Sequence, residues 1–128
     1  INYRATPEWD VEVLRLTDGR GADLVVETGG TDTFARSLNA AAYGATVFSV
    51  GFVSGASATI DLLPVIVKAL NIQGNNTGPV TDFADAVRAI AAHRIKPVVD
   101  REFGINEAAS AYAALAGGQH FGKIAIVH

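Results

Sequence analysis

The chain has 128 residues, with 10 Lys and Arg against 13 Asp and Glu, spread without runs, so no basic field exists to gather nucleic-acid phosphates or anionic lipid. It contains no cysteine, which excludes disulfides and thiolate metal sites, and no apolar run approaches the roughly 18 residues of a membrane span. Its 49% apolar residues suffice for a buried core, and "INYRATPEWD" has neither the charged nor the apolar region of a signal peptide, which fits a cytoplasmic protein.

In chain order, "INY" reads as a short extended scrap. Thr6-Pro7 then reads as an N-cap followed by proline at the first helical position, where its missing N–H costs nothing, with Trp9, Val13 and Leu16 at helical spacing. That helix should stop at Asp18-Gly19, and Arg20-Gly21 should turn the chain into the buried strand Asp23 to Val26. Thr31 or Asp32 is expected to cap a second helix with Phe34, Leu38 and Ala41 on one face, ended by Gly44 as a left-handed cap. "ATVFSVG" reads as a second strand, Asp61 opens a helical stretch with Leu63, Val67 and Leu70, and "LNIQG" is a third strand. A helix is expected from Asp82 to about Arg94, then an extended "KPVVDREF", an Ala-rich helix from near Asn106 to Gly117-Gly118, and a closing strand "KIAIVH".

Strand, helix, strand, helix, strand with short connections is the pattern of an α/β fold with a parallel sheet. Ligands of such sheets sit beyond the carboxyl ends of the strands. Three strands here end in permissive residues: Thr28-Gly29-Gly30, Val50-Gly51-Phe52, and Gly74-Asn75-Asn76-Thr77-Gly78. Singly these are turn glycines; together, in one topological place, they point to a ligand cleft. Glu27 reads as a capping partner for a helix N-terminus ahead of a catalytic group. His93, His120 and His128 are too far apart in sequence to signal a metal site, and no serine has the G-x-S-x-G context of an activated nucleophile. Lys123 is either a solvated strand-edge charge or a cation for a phosphate. Neither G-x-G-x-x-G nor G-x-x-x-x-G-K-[ST] occurs.

"INYR", "GRGADLVVETGG", "GATVFSVG", "LNIQG" and "HFGKIAIVH", in that order and spacing, resemble the second half of a medium-chain dehydrogenase/reductase, most closely a zinc-type NAD(P)-dependent alcohol dehydrogenase. The resemblance covers essentially the whole chain. It implies a Rossmann-type, doubly wound parallel sheet lacking its first two strands, with residues 1–95 as an incomplete dinucleotide-binding domain and 96–128 as a segment returning to the catalytic domain. It implies that the phosphate loop and the zinc ligands precede Ile1, in keeping with a chain that lacks methionine altogether. The cofactor is NAD or NADP. By resemblance, Thr28, Gly29 and Gly30 lie along its adenosine side, Val50, Gly51 and Phe52 meet the nicotinamide and its ribose, Gly74, Asn75, Asn76 and Thr77 serve the carboxamide, and Lys123 helps hold the pyrophosphate.

For an intact protein the resemblance implies hydride transfer between a small alcohol or aldehyde and the nicotinamide, with zinc as Lewis acid; the isolated chain is expected to be inactive. The rivals are a zinc-free quinone or enoyl reductase of the same superfamily and a non-enzymatic module that binds a dinucleotide or a partner protein. The resemblance also leaves "INY" separated from the other strands by about 10 Å, two strand spacings. It exposes the "VVET" strand as an edge that invites pairing with another chain, and "LNIQG" resembles the edge through which family members pair sheets as dimers, so a homo-oligomer is expected.

Overall fold

The computed structural model describes all 128 residues, and the chain divides into two compact units, Ile1–Thr77 and Gly78–His128. The second unit therefore takes in a helix that the expected boundary at residues 95–96 would have left with the first.

In the first unit, α1 (Trp9–Leu16), β1 (Ala22–Glu27), α2 (Phe34–Ala40), β2 (Ala41–Ser49), α3 (Leu62–Val67) and β3 (Asn71–Gly74) follow one another. The three strands form one parallel sheet in the order β1-β2-β3, as alternating strands and helices require. This is the α/β architecture expected, without a strand beyond β1, whose outer edge is free. The core lies under β2, where Leu38, Ala41, Ala42, Ala45 and Val47 are buried and Val25, Phe34, Ile60, Val65 and Leu70 pack against them. Within this core Val47 is wholly enclosed.

The ends of the elements depart from expectation in instructive ways. "INY" is a turn rather than an extended segment: the Asn2 carbonyl accepts from Ala5 N at 3.1 Å and Thr6 N at 2.9 Å, and its side chain accepts from Arg4 N at 3.0 Å. That turn consumes Thr6-Pro7, so α1 starts at Trp9 with Glu8 as its cap residue. Leu16, expected inward, is exposed. The second helix is preceded by Thr33 rather than Thr31 or Asp32, because the Thr31 hydroxyl donates to Ser57 O (2.5 Å) and Asp32 N donates to Ser54 Oγ (3.0 Å).

Gly44 does not end α2. The helix stops at Ala40 and runs directly into β2, and Gly44, with φ 72°, sits inside that strand, near the break in register between Ala22 and Leu24. Lys68 supplies the missing cap from a distance, its ammonium donating to Asn39 O at 2.6 Å, Ala41 O at 3.0 Å and Leu38 O at 3.3 Å. Asp61 caps α3 as expected, accepting from Leu63 N at 2.9 Å.

The second unit holds α4 (Val80–Ala92), β4 (Val99–Gly104), a 3-10 turn (Ile105–Glu107), α5 (Ala108–Gly117) and β5 (Lys123–Val127). The strands β4 and β5 pair in parallel as a separate two-stranded sheet, the crossover being α5, whose Ala111 is buried. Gly118, left-handed at φ 61°, ends α5 at the expected place. The helix α4 begins and ends two residues earlier than expected, with Pro79 as its cap residue.

Candidate functional site

Because β1, β2 and β3 are parallel and adjacent, their carboxyl ends share one edge of the sheet. Main-chain bonds join the first two tips: Val50 N donates to Glu27 O (2.9 Å), Val53 N to Thr28 O (3.2 Å) and Ser54 N to Gly29 O (2.7 Å). Asn75 N donates to Ser49 O (3.0 Å), joining the third tip to the second. Thus Thr28, Gly29 and Gly30, Val50, Gly51 and Phe52, and Gly74, Asn75, Asn76 and Thr77 are neighbours along one rim. Lys123 is the remaining expected site residue; it opens β5 in the second unit, its amide bonded to Val98 O at 2.8 Å.

Close approach of main chain to main chain accounts for two of the glycines. A Cβ on Gly51 would lie 2.8 Å from Thr28 O, and one on Gly30, where φ is 91°, would run into Gly55 O. Each is demanded by packing between tips before any ligand is considered. Gly74 differs: a Cβ there would meet nothing within 4 Å, so local packing gives no reason for glycine.

Beneath the first tip, Glu27 is buried at 3% exposure. Its Oε1 accepts from Gly29 N (2.7 Å), Gly30 N (3.0 Å) and the Thr33 hydroxyl (2.6 Å), and its Oε2 accepts from the Ser37 hydroxyl. Burial pushes its pKa up, but the bonds from Ser37, Thr33, Gly30 and Gly29 outweigh burial and hold it below the usual glutamate value. The capping reading of Glu27 thus describes its contacts. Asp10 is similar: burial opposes its charge, while Asn39 (2.7 Å) and Arg36 (2.6 Å) overcome that and pin α1 to α2. Ser54, Thr33 and Ser37 were not singled out in the sequence as tip-forming residues. Ser54 Oγ donates to Gly29 O at 2.9 Å, a contact 25 residues away in sequence with no local signal.

A cleft of about 690 Å³ is lined by Trp9, Glu27, Thr28, Gly29 and Ser54 among others, and a smaller one of about 230 Å³ includes Gly30, Gly51 and Phe52. Phe52 and Val53 are 70% and 90% exposed. No three His, Asp or Glu side chains come together as metal ligands, so the residues present do not fit a zinc ion.

Residues 1–126 match the family model described as zinc-binding dehydrogenase. The chain belongs to that family. Within it, the chain is 35% identical over 130 residues to a zinc-type alcohol dehydrogenase-like protein of Schizosaccharomyces pombe, covering 98% of this chain and 38% of that protein. Among solved structures it is similar to a Sinorhizobium meliloti 1021 protein assigned as an alcohol dehydrogenase, with a TM-score of 0.88 and 30% identity over 98% of this chain and 36% of the other. It is also similar to the 2-octenoyl-CoA carboxylase reductase CinF in complex with NADP and 2-octenoyl-CoA, with a TM-score of 0.83 and 26% identity over 98% of this chain and 29% of that one. The chain therefore spans between 29% and 38% of the length of these three proteins. The fold is that of the cofactor-binding half of a medium-chain dehydrogenase/reductase, and no helix is long and apolar enough to cross a membrane.

Proposed function

We propose that this chain is part of an NAD(P)-dependent oxidoreductase that acts on a small alcohol or aldehyde, and that it contributes part of the nicotinamide cofactor site. The observation that carries the reading is the alignment of three parallel strand tips on one rim, stitched together by main-chain bonds. Such a rim is where an open α/β sheet takes its ligand. A nicotinamide nucleotide fits it, because its flat ring and riboses can lie on main chain that bears no Cβ. When bound, that cofactor accepts or donates hydride.

The chain's own residues bind and orient. Thr28, Gly29 and Gly30 lie along the adenosine side, Val50, Gly51 and Phe52 border the ring and its ribose, and Gly74 to Thr77 offer peptide groups to the carboxamide. No step is assigned to zinc, and Lys123 takes no part in the three-tip argument. A cytoplasmic homo-oligomer completes the proposal, β3 resembling the edge through which family members pair their sheets. The likeness to CinF favours a zinc-free enoyl reductase as the second reading; a search of upstream coding sequence for Cys and His ligands separates the two.

The test is an amide NMR titration of the chain with NADH and NADPH. Shifts are expected at residues 28–30, 50–52 and 74–77. Gly74→Ala should leave stability within about 0.5 kcal/mol of wild type, since its Cβ enters open space, yet weaken binding. Shifts confined to other surfaces, or none at millimolar nucleotide, would refute the reading.

A further inference from the structure

Deepening that reading and resting on it, we propose that Glu27 is a positioning residue for the cofactor: its enclosed carboxylate sets the main-chain course of Thr28–Gly30, and through it the surface the nucleotide meets. The strand β1 ends at Glu27, and the side chain turns inward under the tip. There one oxygen, Oε1, accepts from two successive amides, Gly29 N at 2.7 Å and Gly30 N at 3.0 Å, as well as from Thr33 Oγ1 at 2.6 Å. The other oxygen takes the Ser37 hydroxyl.

A glycine pair is the most permissive dipeptide a chain can contain, and it loses the most freedom when ordered. Left without a fixed acceptor, Gly29-Gly30 would present a mobile backbone, and a ligand lying on it would have to order it on binding. With both amides captured in advance, that cost falls in folding instead of in binding. The same residue reaches the neighbouring tip by its main chain, since Glu27 O accepts from Val50 N at 2.9 Å. One residue thus sets two of the three tips.

Three of the four donors converge on Oε1 and one on Oε2, and the side chain is enclosed beneath the tip at 3% exposure. Its influence therefore runs through the backbone it holds.

The test compares wild type, Glu27→Gln and Ser37→Ala by NADH titration, with amide exchange as a second readout. Glutamine keeps the length but replaces one acceptor oxygen by a donor. With the amides of β2 unmoved, Glu27→Gln is expected to raise the NADH dissociation constant about tenfold, the equivalent of one charge-assisted bond, and to speed exchange at Gly29 and Gly30. Ser37→Ala, which spares the Oε1 contacts, should bind within about twofold of wild type. Equal binding by Glu27→Gln, or an equal loss in Ser37→Ala, would overturn the proposal while leaving the proposed function standing. Failure of wild type to bind at the tips would overturn both. Should Glu27→Gln not fold, wild-type exchange decides: Gly29 and Gly30 protected relative to Gly74 support the assignment, and exchange at open-loop rates defeats it.

Discussion

Replacing Lys68 by methionine isolates the contribution of its ammonium group, because methionine keeps most of the apolar stem. In the wild type that ammonium stands over the end of α2 and bonds the carbonyls of Asn39, Ala41 and Leu38 at 2.6, 3.0 and 3.3 Å. Hydrogen bonds to a charged group contribute about 1.5–3 kcal/mol each, and a cation near a helix C-terminus adds roughly 0.3–1 kcal/mol. Two good bonds and one long one would sum higher. Against that, the group is partly exposed, burial lowers its pKa, and water can reach some of the freed carbonyls. A net loss of about 2 kcal/mol is the expected balance. Leu38 and Ala41 are each 1% exposed, so their carbonyls have few alternative partners, and the loss should not fall far below that. Urea unfolding followed by far-UV circular dichroism is the assay; with a slope near 1–1.5 kcal/mol/M for a small unit, the midpoint should drop by roughly 1–2 M. A loss under about 0.5 kcal/mol, the range of an ordinary surface change, would refute the idea that a remote lysine ends this helix.

Val47→Ala, at a side chain with no exposure, should cost about 2 kcal/mol in the same assay by leaving a cavity at the middle strand. The stability gap between wild type and Glu27→Gln should depend on pH. Burial opposes the Glu27 charge, but its four donors prevail and depress the folded pKa below the ordinary glutamate value of 4.5. The stabilisation is therefore complete above about pH 4.5 and lost as pH falls through the lower folded value. Urea midpoints measured between neutral and acid pH should converge, and a gap constant with pH would show that the charge is irrelevant.

Much of the framework was legible because each element carries its own local signature. The apolar run Leu24–Val26, the Asp61 cap and the Gly118 stop are decided by residues within a few positions of where they act. Apart from one local turn at the start of the chain, what escaped is non-local. Thr6-Pro7 has the form of a helix start, yet Asn2 captures the amide of Thr6 and holds the pair in a turn. Thr31 has the form of a cap, but its hydroxyl is spent on Ser57, 26 residues away. Gly44 has the left-handed backbone of a helix stop, but the stop is Lys68. The tips were legible as glycine-bearing strand ends; the bonds between them depend on sheet order, which no short window contains. The ligand roles proposed for the tip residues rest on family likeness, since main-chain contacts of the proposed kind would leave little mark on residue type.

That last point bears on how such a rim changes over generations. Where peptide groups make the contacts, the outward side chains of Phe52 and Val53 are free to vary, and a saturation mutagenesis profile should be nearly flat there. Intolerance should gather instead at Gly30, Gly51 and Glu27, which govern the path of the polypeptide. Distant relatives can then diverge in the letters of this rim while keeping its contour.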